Sequence, residues 1–124
     1  MRILHTEASC GWGGQEIRIL SEARGLIGRG HDVCLVCPRD ARIFVEAQRF
    51  GVPVEALPIG KKRVGGILAL RRYLRSNRFD VINTHSSTDA WLASLACRSL
   101  PGSPPIVRTR HVSVPVSSNL ATRW

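Results

Sequence analysis

Acidic residues run short in the second half of this 124-residue chain. Residues 61–124 hold eleven Lys and Arg against Asp80 and Asp89 alone, whereas residues 1–60 balance seven Arg with seven Asp and Glu. The formal net charge of +9 is therefore local. Seven of the bases, Lys61, Lys62, Arg63, Arg71, Arg72, Arg75 and Arg78, fall in one stretch without an acid. Such a patch attracts phosphate, whether on nucleic acid, an anionic lipid surface or a sugar-nucleotide, and does not choose among them; a solvated arginine-rich helix face reads the same way. Aromatic residues are also scarce, and only Tyr73 and Phe79 accompany the bases. Base stacking needs aromatics interleaved with cations, so a nucleic-acid-binding module is a disfavoured alternative and no nucleic-acid partner is expected.

Long hydrophobic runs are missing too. The longest, residues 90–97, is broken by Ser94 and falls well short of the ~20 apolar residues that span a bilayer. The first residues, MRILHTEAS, lack the apolar core of a signal peptide. A cytoplasmic location follows as an expectation, and with it a reducing environment in which Cys10, Cys34, Cys37 and Cys97 are free thiols in or near the core. The pair Cys34-x-x-Cys37 lies within the apolar run VCLVCP and has no second pair at ligand spacing, so no metal is expected.

What is present is a globular composition, 44% hydrophobic and 22% charged. A chain of this length buries roughly 65% of its unfolded surface, enough for one core and too little for two lobes closing on a cleft. Short Ile- and Val-rich runs alternate with segments of helical period. RILHT (2–6) is the first strand. Ile19, Leu20, Ala23, Leu26 and Ile27 then trace the stripe of a helix packed on a sheet, ended near Gly30. RGHDVCLVCP holds a second strand, residues 41–50 a second helix, and residues 54–58 a third strand beyond the breakers Gly51 and Pro53. Gly65 and Gly66 open a basic amphipathic helix that runs to about Asn77, with Arg71, Arg75 and Arg78 read on one face. FDVINTH is the fourth strand, Ser86 or Ser87 caps an apolar helix over 90–100, and IVRTR (106–110) is the fifth strand. Five alternations with short connections predict a doubly wound parallel α/β sheet, Rossmann-like, of order 3-2-1-4-5. Ligands of such a sheet bind at the carboxyl ends of the strands where the winding reverses, between the first and fourth strands.

Two segments meet at that switch point. One is the turn Cys10-Gly11-Trp12-Gly13-Gly14-Gln15-Glu16, whose glycines let backbone approach a ligand and whose helix start offers unpaired N–H groups to an anion. The other is Thr84-His85-Ser86-Ser87, with Arg110 and His111 beside it after the fifth strand. The turn departs from G-x-G-x-x-G because Glu16 stands at the third glycine position, and no acid ends the second strand, which disfavours a dinucleotide oxidoreductase.

Together, Gly13-Gly14-Gln15-Glu16, the RGH-x-V of residues 29–33 and the D-V-I-N-x-H of residues 80–85 resemble the amino-terminal half of a GT-B glycosyltransferase, more narrowly the retaining enzymes of glycosyltransferase family four. The resemblance covers Arg2 to about His111. It implies an acceptor-side lobe, one of the two lobes of a GT-B fold, which family members continue past a fifth strand. The donor-binding carboxy-terminal lobe, with its glutamate pair, is expected outside residues 1–124. It implies a donor-phosphate loop at Gly13, Gly14 and Gln15, and a cleft or acceptor role for Glu16, Ser86, Arg110 and His111. His85 matches a histidine near the transferred sugar and is the one catalytic candidate, for positioning and hydrogen bonding rather than nucleophilic attack. The expected partners are a nucleotide-sugar and a glycan or lipid-linked acceptor, with no cofactor and no metal; the lone lobe is expected to be inactive. The seven bases from Lys61 to Arg78 match a region through which related enzymes sit peripherally on the inner face of an anionic membrane. A nucleotide-sugar epimerase of similar architecture is the alternative within the fold.

Overall fold

A computed structural model describes residues 1–8 and 12–108. Five strands alternate with four helices: β1 (Arg2–Thr6), α1 (Gly14–Gly28), β2 (Asp32–Cys37), α2 (Arg42–Arg49), β3 (Val54–Ala56), α3 (Val64–Ser76), β4 (Val81–Thr84), α4 (Ser87–Arg98) and β5 (Ile106–Arg108). The sheet runs β3-β2-β1-β4-β5 with every pairing parallel, which is the expected doubly wound order. Leu4 of β1 is in register with Cys34 of β2 and Ile82 of β4, so β1 is the central strand and is buried on both faces.

Alternation along the strands builds two cores. Ile3, Val33, Leu35 and Cys37 point to one face, where Ile19, Leu20 and Ala23 of α1 and Ile43 and Ala47 of α2 cover them. Leu4, Val36 and Ile82 point to the other, under Leu70 and Leu74 of α3 and Leu92, Ala93 and Ala96 of α4. Full burial of one such leucine contributes about 2 kcal/mol, and the single core expected from chain length is divided by the sheet into these two. The breakers act where the helices end. Gly30, Gly51 and Gly102 take φ of 92°, 74° and 72°, the left-handed region that follows α1, α2 and α4. Gly66 has a packing reason instead: a Cβ there would lie 2.8 Å from the Pro58 carbonyl oxygen and 3.4 Å from Leu92, so α3 lies close over the turn that precedes it.

Two local expectations are corrected, the all-round apolar character of α4 and the reach of α3. The helix read as apolar nearly all round buries one face only, since Trp91 and Ser94 of α4 are exposed where the helix faces away from the sheet. Cys34 and Cys37, three residues apart on a strand, project to opposite faces and into different cores, so they do not form a ligand pair. Helix α3 ends at Ser76, and Arg78 therefore follows it rather than sharing its face with Arg71 and Arg75. Cys97 and Cys34 are half-buried thiols and Cys37 a fully buried one. Cys10 and Gly11 lie outside the described residues.

Candidate functional site

At the carboxyl end of β1 the apolar strand turns polar: His5, Thr6 and Glu7 are fully buried. Polar groups survive burial when they are hydrogen-bonded, and each of these reaches across to a neighbouring segment. His5 Nδ1 lies 2.8 Å from His85 Nε2, with the rings stacked at 5.1 Å between centroids and 18° between planes. The Thr6 hydroxyl donates to Asp89 Oδ2, and the Gln15 amide donates to Glu7 Oε2. The cluster thus ties β1 to the start of α4 on one side and to the start of α1 on the other.

Asp89 is the hub of the β4–α4 turn. Its Oδ1 accepts the Ser86 N–H at 2.9 Å and the Ser86 hydroxyl, while Oδ2 accepts the His85 N–H at 3.0 Å as well as Thr6. Ser86 is the N-cap of α4 and forms a capping box with Asp89, which settles the sequence's choice between Ser86 and Ser87. Burial pushes the Asp89 carboxyl above its ordinary range, against the pull of the Ser86 and Thr6 hydroxyls and the His85 N–H. Desolvation likewise pulls His5 down to about 4, so it is neutral around pH 7 and shares a single N–H bond with His85. Among the described residues His5 Nε2 has no hydrogen-bond partner.

Helix α1 begins differently. Its N-cap is Gly13, in extended backbone and with no side-chain cap, and the first turn carries Glu16, which is buried. A Cβ at Gly14 would meet nothing within 4 Å, and one at Gly13 would meet only Glu16 Oε1, at 3.8 Å. Packing within these residues therefore does not require glycine at either position. The fold brings Gly13, Gly14, Gln15, Glu16, His85 and Ser86 to adjacent carboxyl ends, those of β1 and β4, as the switch-point argument expects. Arg110 and His111 lie outside the described residues.

The seven bases do not form one patch. Lys61 and Arg63 line a cavity at the carboxyl ends of β2 and β3, and Lys62 lies over the Trp91 ring, 6.0 Å from its centroid. Arg71, Arg75 and Arg78 line a different cavity beside Arg2 and Asp80, at the opposite end of the sheet, and Arg71 bonds the Ser99 hydroxyl at 2.9 Å. Arg72 is exposed on α3, along which Arg71 and Arg75 lie about 10 Å and 16 Å from the helix start beside Arg63. Sequence reading missed His5, Thr6 and Glu7. Their signal was present in the change from RIL to HTE along one strand, polar residues in a run that must be central.

The family model of Glycosyltransferase Family 4 matches residues 12–124. A solved glycosyltransferase from Rickettsia africae superposes with a TM-score of 0.72 at 18% identity, over 92% of this chain and 31% of that one. HepE from Anabaena superposes in its complex with UDP (TM-score 0.68, 17% identity, 87% of this chain and 29% of that one). The HepE complex with UDP-glucose superposes with a TM-score of 0.61 at 16% identity, over 87% of this chain and 28% of that one. The described chain thus spans less than a third of each solved relative. No curated protein matches it.

Proposed function

The chain belongs to glycosyltransferase family 4 and has the fold of one GT-B lobe, and on that premise we propose that it is the acceptor-side lobe of a retaining enzyme that moves a sugar from a nucleotide-sugar to a glycan or lipid-linked acceptor. One observation carries the reading: the uncapped, glycine-led start of α1 and His85 stand at neighbouring strand ends on the line where the winding reverses. Transfer makes the leaving diphosphate more negative while the anomeric carbon becomes cationic. Helix-start N–H groups at Gly13, Gly14 and Gln15 answer the first need, because they hold a partial positive charge that costs no reorganisation as the bond breaks. The open space at the two glycines supports close approach of a phosphate to this backbone.

His85 is assigned to positioning and hydrogen bonding of the sugar. Its Nε2 is held by neutral His5 and its backbone N–H by Asp89, so the ring is fixed from two sides before substrate arrives. Glu16 stands in the first turn of α1 and Ser86 caps α4 at these strand ends, and Arg110 and His111 follow β5 in the sequence. The donor nucleotide to try first is UDP, since HepE was solved with UDP and with UDP-glucose. The shared span is about a third of each solved relative, which supports a second, donor-binding lobe in the working enzyme and no transfer by residues 1–124 alone.

Among the described residues no helix is long and apolar enough to cross a membrane. Peripheral contact on the cytoplasmic face is supported by the outer face of α3 and its neighbours, where Val64, Leu68 and Trp91 are exposed beside Lys62. The test of the proposed activity is sugar transfer by the full-length protein from UDP-glucose and other nucleotide-sugars, followed by product analysis. An altered acceptor with free nucleotide supports the transferase; an isomerised donor with no altered acceptor overturns it in favour of an epimerase. His85→Ala should lower kcat by about a hundredfold or more and leave UDP affinity within about twofold.

A further inference from the structure

The turns that leave β2 and β3 enclose a cavity of about 530 Å³ lined by Arg39, Lys61 and Arg63, with Asp40 as its acid. Three bases against one acid give it a net positive charge. The contrast with other arginines is informative: Arg42 and Arg49 both pair with Glu46, whereas Arg39, Lys61 and Arg63 make no ion pair among the described residues. Two helices begin at its rim. Helices α2 and α3 start at Arg42 and Val64 with no side-chain cap and no acid in the first turn, unlike α4, where Ser86 and Asp89 neutralise the same groups. Their positive ends add to the cationic side chains.

The cavity also has a place in the proposed reaction. It opens at the carboxyl ends of the strands, on the α1 side of the switch point. At its floor the β3–α3 turn closes on the turn after β1: a Cβ at Gly60 would lie 3.4 Å from Pro38 Cγ and 3.9 Å from the Ala8 carbonyl oxygen. A molecule in the cavity would therefore lie near Ala8, which follows β1, without occupying the ends of β1 and β4 themselves.

We infer that this cavity binds a phosphate group carried by the acceptor, so that the acceptor is a phosphorylated molecule rather than a neutral glycan. The inference rests on the transferase reading and adds the acceptor's chemical class to it. Arg39 and Arg63 offer planar forks that suit two phosphate oxygens each, and Lys61 supplies a point charge between them in sequence. The phosphate can belong to a soluble sugar phosphate or to a lipid diphosphate, and both present the same oxygens.

The test uses the full-length protein and a triple variant, Arg39→Gln with Lys61→Gln and Arg63→Gln; all three side chains are exposed, so the core is untouched. Arg71→Gln with Arg75→Gln and Arg78→Gln is the charge-matched control at the far end of the sheet. Calorimetric titration with inorganic pyrophosphate, glucose 1-phosphate and vesicles of phosphatidylcholine doped with undecaprenyl phosphate distinguishes the sources. Expected is a loss of at least about tenfold in affinity for one of these probes in the triple variant, little change in the control, and UDP affinity unchanged in both. Equal loss in the triple variant and the control would reduce the effect to net charge and overturn the inference. So would unchanged affinity for all three probes. Should the protein transfer sugar to a neutral acceptor with the same kcat/KM in wild type and triple variant, the cavity reading fails while the transferase stands; should it bind phosphate through the three bases yet transfer nothing, the reverse holds.

Discussion

His85 Nε2 lies 2.8 Å from His5 Nδ1, a bond between residues eighty positions apart that spans the point where the sheet's winding reverses. Because desolvation holds His5 at about 4, His5 is neutral at pH 7 and shares one hydrogen bond with His85. The ring of the residue assigned to the sugar is thus oriented by a partner that itself touches no solvent.

That arrangement makes stability depend on pH with a definite sign. His5 has a folded pKa of about 4 against 6.5 unfolded, so between those values the unfolded chain binds the extra proton. Its contribution is fully present above pH 6.5 and is lost as the pH falls towards 4, amounting to about 3 kcal/mol. Asp89 acts in the opposite sense: its raised pKa gives stability below pH 3.8 that is lost as the pH rises through the folded value. In urea titrations at stepped pH, His5→Asn, which keeps an amide near the Nδ1 position, should flatten the fall between pH 6.5 and 4. A wild-type slope unaltered in this variant would assign the acid sensitivity elsewhere.

Much of this was legible in the sequence because the apolar stripes are regular. Ile19, Leu20 and Ala23 repeat at helical spacing, and all three are buried where the pattern places them. The parallel order followed from the alternation of elements, and the placing of Gly13 and His85 after adjacent strands followed from the order. The hydrogen-bonded cluster was not legible, since nothing local pairs Thr6 with Asp89 or His5 with His85; only the register of β1 on β4 brings them together. The basic stretch misled for the same reason. Seven charges close in sequence divide between two cavities and the surface outside them, and the cavity at the start of α3 takes its third base, Arg39, from a different turn.

Asp89 should be the most sensitive polar position of the turn. It accepts from Thr6, from the His85 N–H and from both donors of Ser86, so removal of the carboxylate leaves several buried donors without an acceptor. Asp89→Ala is expected to cost about 3–5 kcal/mol, and Thr6→Val, which removes one donor and keeps the shape, about 1 kcal/mol. A double-mutant cycle by urea denaturation should give a coupling of about 1 kcal/mol between the two; additive effects would mean that the short contact contributes nothing.

The outer face of α3 tests the membrane contact separately from the phosphate cavity. Val64 is 69% and Leu68 58% exposed, one turn apart, and Trp91 of α4 stands near Lys62. Replacement of both with serine removes apolar area that would enter the headgroup layer without changing charge. In co-sedimentation with vesicles containing phosphatidylglycerol, Val64→Ser with Leu68→Ser should reduce bound protein by about fivefold or more, with no effect on pyrophosphate affinity. Equal binding by the variant would leave these apolar residues as ordinary surface.

Gly65 and Gly66 are adjacent in one helix and should respond oppositely to the same substitution. A Cβ at Gly65 would meet nothing within 4 Å, so Gly65→Ala changes only the backbone entropy of a helical residue and should stabilise by up to about 1 kcal/mol. At Gly66 the added methyl would lie 2.8 Å from the Pro58 carbonyl oxygen, a backbone atom that moves only if the β3–α3 turn moves with it. Gly66→Ala should therefore cost about 1–3 kcal/mol and, by lifting α3 from the turn that carries Lys61 and Arg63, also weaken pyrophosphate binding. Thermal melts of the two variants give the sign directly. A stabilised Gly66→Ala protein would mean that α3 does not lie as close over Pro58 as described, and the shape of the cavity beside it would have to be redrawn.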